Sequence, residues 1–461
     1  MQLKLSEMLE ILKCSEIHNL SEDPDQIYVN SYVVDSRESK DGSVFFALKG
    51  RKTDGHHFVK DAQSKGAKVA VVERKVENVG IIQLVVNSTT EALTNLAINI
   101  IRKKSPRIIG ITGSNGKTTT KELIHHLLKK SLGKPIFKNP GNLNTEIGLP
   151  VSILNYYNFE DILVLEFGIN KKGDMDKIVA SFKPDVGIFL NCGSAHVGNF
   201  KNEDEIFSEK SKMIKSVDNG IVVLYADDER FLKLSENLKN LSVKFFGQKN
   251  GDVRLLSWKY SDDFKSTVAM IDVFGKPYSV KLNNVWNRGQ LLDLCAAICT
   301  VEALGIEFIP DTLQDFRLLK NRFNVQKMHE LIIIDDTYNS SIESVKEALD
   351  TINLLRANRK IAVIGSILEQ GSRTVETHEK LGELFNDSDI DGVIVYSVFP
   401  DVKYSIDGMK EKVVFESPFL DEVVEKLIKL LKPGDLVYFK ASRGVEMERV
   451  IEKVWKSFSE Q

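Results

Sequence analysis

An apolar run, Arg107-Ile108-Ile109-Gly110-Ile111-Thr112, leads directly into Gly113-Ser114-Asn115-Gly116-Lys117-Thr118-Thr119, and a helical pattern, KTTTKELIHHLLKK, begins at Lys117. A short apolar strand feeding a glycine turn and a helix must be covered on both faces, which demands an α/β layer arrangement. Gly113 and Gly116 let the backbone turn with its N–H groups pointing inward, and the helix N-terminus adds partial positive charge. Such a turn cradles phosphate. Lys117 then bridges the outer phosphates, and the Thr118 hydroxyl can ligate Mg²⁺. The strict P-loop pattern wants one more glycine, at the position of Ile111, so the match is partial. The bland alternative is an ordinary turn between strand and helix; Gly-Lys-Thr-Thr straight after an apolar strand favours the phosphate.

The rest of the chain follows the same grammar. DILVLEF, DVGIFLN and GIVVLYA read as strands buried on both faces, with helical patterns between them. From about Asn321 the alternation restarts. LIIIDD, KIAVIGS, GVIVYS, KVVFES and DLVYFK read as strands, and IESVKEALDTINLL, TVETHEKLGELF, LDEVVEKLIKLL and GVEMERVIEKVW as helices. Up to Lys104 the chain reads as a small mixed unit, with strands in SYVVDS, SVFFAL, KVAVVE and IIQLVV and a helix around Phe58 to Ser64. The basic stretch Arg102 to Pro106 reads as a linker. Alternating apolar residues from Lys244 to Val280 predict an antiparallel sheet attached to the middle unit. The expected fold is therefore α/β in three domains. Residues 1–104 form a small mixed α/β amino-terminal domain. Residues 105–318 form a central P-loop mononucleotide-binding domain, and residues 319–461 a Rossmann-like carboxy-terminal domain.

A net charge of -3 favours neither nucleic acid nor an acidic membrane as partner. No segment approaches the apolar length that spans a bilayer, and the amino terminus has no basic front before an apolar run. The chain reads as cytoplasmic. Cys14, Cys192, Cys295 and Cys299 are too few and too scattered for a disulfide framework. Cys295 and Cys299 lie one helical turn apart and read as small core residues.

A phosphate-bound Mg²⁺ needs a carboxylate, and Glu166 is the candidate. It ends the apolar run Ile162 to Leu165, at the strand edge where open parallel sheets bind ligands. The alternative is a helix-capping or surface glutamate. His196 follows the next strand. A loop histidine ordinarily faces solvent, but its place past a strand edge keeps a metal or phosphate role open.

In chain order, Asp35-Ser36-Arg37, GSVFFALKG, TDGHHFVKDA, GITGSNGKTTTKE, PGNLNTEIGLP, VLEFGIN, NCGSAH, ADD, DDTYNSSIES, GSILEQG and KASRG resemble the Mur ligases of peptidoglycan synthesis. LEFGIN, GNLNTEIGLP and DDTYN resemble the MurF type. The resemblance covers nearly the whole chain. It implies an ATP-dependent ligase that joins D-Ala-D-Ala to UDP-N-acetylmuramoyl-tripeptide through an acyl phosphate, with two Mg²⁺. The chain is expected to act as a monomer. The resemblance makes Lys117, Glu166, His196 and Lys210 catalytic. Thr118, Glu166, His196 and Lys210 would hold metal.

Lys210, in IFSEKSKMI, matches a lysine carbamylated in the family, although the bare pattern reads as a solvated helix lysine. Asn287 and Gln290 match an Asn-x-x-Asn pair near adenine. Arg322 and Asp336 match residues that reach the nucleotide from the carboxy-terminal domain. Ser36 and Arg37 would anchor the uridine nucleotide, Asn144 and Thr145 would lie near the muramoyl-peptide, and Tyr338 and Asn339 would face substrate. The chain departs from the family pattern at Lys212, Trp286, Gln290, Ser340 to Ile342, Ser366 and Ala441. Many of these departures lie where the incoming dipeptide is expected. Three rivals remain: an amide ligase for another amino acid or for folate, a P-loop switch or motor, and a regulatory protein on a dead ligase fold.

Overall fold

β-Branched and aliphatic residues make Arg107–Thr112 an interior strand of a nine-stranded sheet. The computed structural model describes every residue except 51–52, 194–196 and 460–461. The strand pairs in parallel with Ile162–Glu166 on one side and Val186–Phe189 on the other. Phe137–Lys138 lies beyond the first neighbour. Ile221–Tyr225, Ser242–Gly247 and Val253–Tyr260 continue beyond the second, all parallel. The chain thus leaves its central strand in both directions. The crevice at the strand's carboxy end is the switch point where open α/β sheets take ligands.

The alternation from Lys244 to Val280 folds as expected only in part: Ser242–Gly247 pairs in parallel on both sides, and the antiparallel part begins at Val253. Val253–Tyr260, Ser266–Val273 and Lys276–Asn283 form antiparallel pairs that extend the central sheet. The last of these is an edge strand that exposes Lys276, Pro277, Ser279 and Lys281. A turn at Pro310–Leu313 meets it, and Asn283 Nδ2 donates to the Gln314 carbonyl at 2.5 Å. The helix Lys117–Leu132 starts after Gly116 (φ 83°) and stops at Gly133 (φ 63°), two left-handed positions that favour glycine. It packs against Arg288–Ala303, whose buried face includes Cys295 and Cys299. All four cysteines are free thiols.

The first domain holds a five-stranded sheet in the order Glu16–His18, Ile82–Val85, Ala67–Val72, Ser43–Phe46, Ser31–Val33. It also carries a helix, Thr89–Arg102, that the strand-based reading lacked. Ser88 caps this helix by accepting from the Glu91 N–H, and Leu93, Leu96, Ala97 and Ile100 are buried. Arg102, expected to open a linker, is the last residue of the helix. The helix packs on Gly148–Tyr156 of the central unit. Asn155 brackets the Tyr32 backbone, accepting from its N–H at 3.1 Å and donating to its carbonyl at 2.8 Å. One apolar core therefore runs from Leu3 to Leu238 across both units. Each buried aliphatic side chain there contributes about 1.5–3 kcal/mol, which fixes the first domain onto the central one.

The carboxy-terminal sheet runs Asn324–Met328, Leu331–Asp336, Leu436–Lys440, Lys360–Ile364, Gly392–Tyr396, Val413–Ser417. Only its first pair is antiparallel. Ile342–Leu354 and Thr374–Asn386 build the core on one face, Leu420–Leu430 and Glu448–Ser459 the core on the other. The chain is a three-domain α/β protein. Among the described residues no helix is long and apolar enough to cross a membrane.

Candidate functional site

The phosphate loop is held from outside by Asn191, just past Val186–Phe189. Asn191 Oδ1 accepts from the N–H groups of Ser114 (3.1 Å) and Asn115 (2.9 Å), and its Nδ2 donates to the Asn115 carbonyl (3.1 Å). Gly116 has no room for a side chain: a Cβ there would lie 2.0 Å from Asp293 Oδ1. Lys117 Nζ donates to the carbonyls of Gly113 (2.8 Å) and Ser114 (3.1 Å). Burial lowers the Lys117 ammonium, with Glu166 pulling the other way.

Glu166 is only 3% exposed, so it is neither a surface nor a capping glutamate. Its Oε2 accepts from Thr118 Oγ1 at 2.8 Å and lies 3.6 Å from Lys121 Nζ; its Oε1 accepts from Asn144 Nδ2 at 2.7 Å. Burial alone would raise this carboxyl, but the charges of Lys121, Lys117 and Arg322 outweigh it and hold it below its usual range. The result is an ionised carboxylate beside a hydroxyl, a hard oxygen pair of the kind Mg²⁺ takes.

Lys210, on the helix Glu203–Ser216, is buried rather than solvated. Its Nζ donates to Ser114 Oγ of the loop at 2.8 Å. Burial, then the charge of Lys117, brings its ammonium down to about 7. Lys212 pairs instead with Asp176 (2.5 Å) and Glu209 (2.7 Å).

The carboxy-terminal domain closes the site from above. Arg322 Nη2 donates to Thr118 Oγ1 at 2.9 Å, and its guanidinium carbon sits 3.9 Å from the Tyr338 ring centroid. Asn115 Nδ2 donates to Ser341 Oγ at 3.3 Å. Asp336 accepts from Lys440 Nζ (2.5 Å) and from the Phe323 N–H (3.1 Å). Asn287 and Gln290 form a capping box at the start of their helix, each side chain accepting from the other's N–H. Gln290 Nε2 also donates to the Arg322 carbonyl at 2.9 Å, so this amide ties two domains together. Trp286 is core, its indole N–H donating to the Asn283 carbonyl.

One cavity of about 610 Å³ gathers the loop Gly113 to Thr119 with Asn144, Thr145, Glu166, Lys210, Asn287, Gln290, Arg322, Asp336, Tyr338 and Asn339. Ser36 and Arg37 are not in its lining. They lie on a turn of the first domain, where Ser36 is buried and Arg37 is exposed and pairs with Asp35 at 2.5 Å. His196 falls outside the described residues.

Three site residues escaped the sequence. Lys121 is fully buried and donates to the carbonyls of Asn139 (2.7 Å) and Gly141 (3.3 Å) as well as facing Glu166; its place four residues after Lys117 was the available signal. Asn191 carried no local signal. Asp293 stood out as an acid inside the apolar run LLDLCAAIC, and burial pushes its carboxyl up to about 7.

Family models match along the chain. The Mur ligase family catalytic domain matches residues 29–110, the Mur ligase middle domain 111–301, and the Mur ligase glutamate ligase domain 321–443. The UDP-N-acetylmuramoyl-tripeptide–D-alanyl-D-alanine ligase of Borreliella burgdorferi is 31% identical over 449 residues, spanning 92% of this chain and 93% of its own. This chain belongs to the Mur ligase family. Among solved structures, MurF ligase from Thermotoga maritima in complex with ADP superposes with a TM-score of 0.84 at 37% identity, covering 94% of this chain and 98% of that one. MurF from Acinetobacter baumannii gives 0.87 at 26% identity, covering 99% of both. Within the family the match is to the MurF type.

Proposed function

We propose that this Mur ligase activates the terminal carboxylate of UDP-N-acetylmuramoyl-tripeptide with ATP and joins it to D-Ala-D-Ala, releasing ADP and phosphate. The observation that carries the reading is the convergence on Thr118 Oγ1. A carboxylate from a strand end (Glu166, 2.8 Å) and a guanidinium from the carboxy-terminal domain (Arg322, 2.9 Å) meet one hydroxyl at the head of the phosphate loop. Phosphoryl transfer is mostly positioning and charge, and this arrangement supplies both.

A carboxylate oxygen of the peptide attacks the γ-phosphorus as the bond to ADP breaks. Lys117 and Arg322 spread the negative charge that builds on the transferring oxygens. The amine of D-Ala-D-Ala then attacks the acyl carbon of the acyl phosphate. Phosphate leaves with the C–O electron pair, and the new amide nitrogen sheds a proton. Thr118 and Glu166 would hold Mg²⁺, which neutralises phosphate charge when bound. Lys210 suits carbamylation: at an ammonium value of about 7, much of it is a neutral amine at physiological pH, free to attack CO₂ and lose a proton. The carbamate, with His196, would complete a second metal position. The cavity lies between domains, so closure excludes water from the reactive acyl phosphate.

Residues 1–104 would hold the uridine nucleotide through Ser36 and Arg37, residues 105–318 ATP, and residues 319–461 the incoming dipeptide near Tyr338 and Asn339. Both nucleotides belong to the cytoplasm, and one chain carries every part the reaction needs, in keeping with a monomer. The test is ADP release with UDP-N-acetylmuramoyl-tripeptide and a panel of amino acids and dipeptides. Release with D-Ala-D-Ala alone is expected. Equal release with single amino acids, or with no amine, refutes the reading; the second outcome is the behaviour of a P-loop switch.

A further inference from the structure

The cavity changes character away from the phosphate loop. Its far end is lined by Tyr225 and Phe246, ring centroids 5.4 Å apart and inclined at 40°, with Leu292 beside them. A nucleotide with its phosphates on the loop must lay its base somewhere, and aromatic and aliphatic walls are where a flat heterocycle is best accommodated. The helix Arg288–Ala303 begins at this end, and Asp293 presses it against Gly116 of the loop.

Among the described residues, one polar atom there lacks a partner: Glu347 Oε2 is buried and accepts no hydrogen bond from them. Its sister Oε1 accepts from Arg288 Nη1 at 2.7 Å, and Arg288 Nε donates to Gln248 Oε1 at 2.7 Å, so the carboxylate is fixed in place. A buried acceptor held without a donor is costly and calls for a ligand. The neighbouring amide is Asn287. Its oxygen is taken by the Gln290 N–H, which leaves Nδ2 as its donor. Gln290 has protein partners at both Oε1 and Nε2. Between Asn287 and Glu347 stands Gly289, where an added Cβ would lie 3.3 Å from Asn287 Oδ1 and 3.9 Å from Glu347 Cγ. The missing side chain keeps the gap between donor and acceptor open.

We propose that Glu347 reads the nucleotide base, its Oε2 accepting from an exocyclic amine beside a donor amide from Asn287, and so selects adenine over guanine nucleotides. The proposal rests on the ATP-using reading above. Adenine presents an amine donor next to a ring-nitrogen acceptor, the complement of this pair; guanine puts a carbonyl oxygen in the amine's place, lone pairs against a carboxylate. Arg288 positions Glu347 and does not itself read the base.

The experiment is calorimetric titration of ADP and of GDP into the full chain, wild type and two variants, with no peptide or amine substrate present. The binding result is thus independent of whether D-Ala-D-Ala is the amine. Wild type should prefer ADP. Glu347→Gln, whose amide can also donate to a carbonyl, should lower the ADP-to-GDP affinity ratio about 10-fold or more, the scale of a hydrogen bond to a charged group. Glu347→Asp withdraws the oxygen and should weaken ADP without weakening GDP, since the repulsion against the guanine carbonyl goes with it. If Glu347 only braces Arg288 between the domains, both nucleotides weaken together. That parallel loss, an unchanged ratio in both variants, or a wild type that binds ADP and GDP alike overturns the proposal.

Discussion

Asp293→Asn removes a titrating group from behind the phosphate loop and keeps the side-chain shape. Burial pushes the Asp293 carboxyl from 3.8 to about 7, against the opposing pull of Thr120, Arg322 and Lys117. The folded chain therefore keeps a proton that the unfolded chain has released by about pH 5. Where the native state binds more protons, stability falls as pH rises, here between 3.8 and about 7. At about 1.4 kcal/mol per pH unit, the wild type loses about 3 kcal/mol between pH 5 and pH 8 through this group. The asparagine variant has no such proton to lose. Urea titrations followed by tryptophan fluorescence at the two pH values check this. Three-domain chains need not unfold in one step, so the quantity to compare is the variant-minus-wild-type difference. The variant should gain about 3 kcal/mol on wild type from pH 5 to pH 8. Parallel pH profiles, or a variant that loses ground at pH 8, would refute the reasoning.

Lys117→Ala should leave a folded chain whose ATP-dependent phosphate release falls about 100-fold or more, the scale of losing one transition-state donor; near-normal turnover counts against the loop assignment. Wild-type activity should rise with added bicarbonate, whereas Lys210→Ala should be strongly impaired and partly restored by short carboxylates. Full activity of that variant without additive would show that no carbamate is needed. Arg37→Ala should raise the KM for the uridine substrate about 10-fold and leave the KM for ATP unchanged, as expected for loss of one charge-assisted contact; equal shifts in both would place Arg37 outside the uridine site.

What the sequence revealed was what short-range pattern encodes. Gly113, Gly116 and Lys117 follow a strand that can be read from six residues, and Glu166 ends another such strand. The antiparallel strands up to Val280 declared themselves by period-two alternation. The helix Thr89–Arg102 is equally legible, with Ser88 ahead of Glu91 and apolar residues at helical spacing, but its basic end also fits the pattern of a linker. Lys121 could not be read this way. It shares a helix with the exposed Lys129 and Lys130, and only packing beneath Glu166 distinguishes it. Lys210 reads the same way until the loop covers it. The contacts from Arg322 to Thr118 and from Asn115 to Ser341 span 204 and 226 residues, beyond the reach of any local pattern.

A nine-stranded sheet raises a hazard unrelated to catalysis. Every open sheet ends in two rows of unsatisfied N–H and C=O groups, and each row can template pairing with another chain. Here one edge is Phe137–Lys138, too short to recruit a neighbour. The other, Lys276–Asn283, presents two lysines to solvent, lacks a donor at Pro277, and is flanked by the turn Pro310–Leu313, whose neighbour Gln314 accepts from the Asn283 side chain. The layer that carries the catalytic crevice at its middle is thus guarded at both margins, and crowded copies meet charge and missing donors where they could otherwise stack into a ribbon.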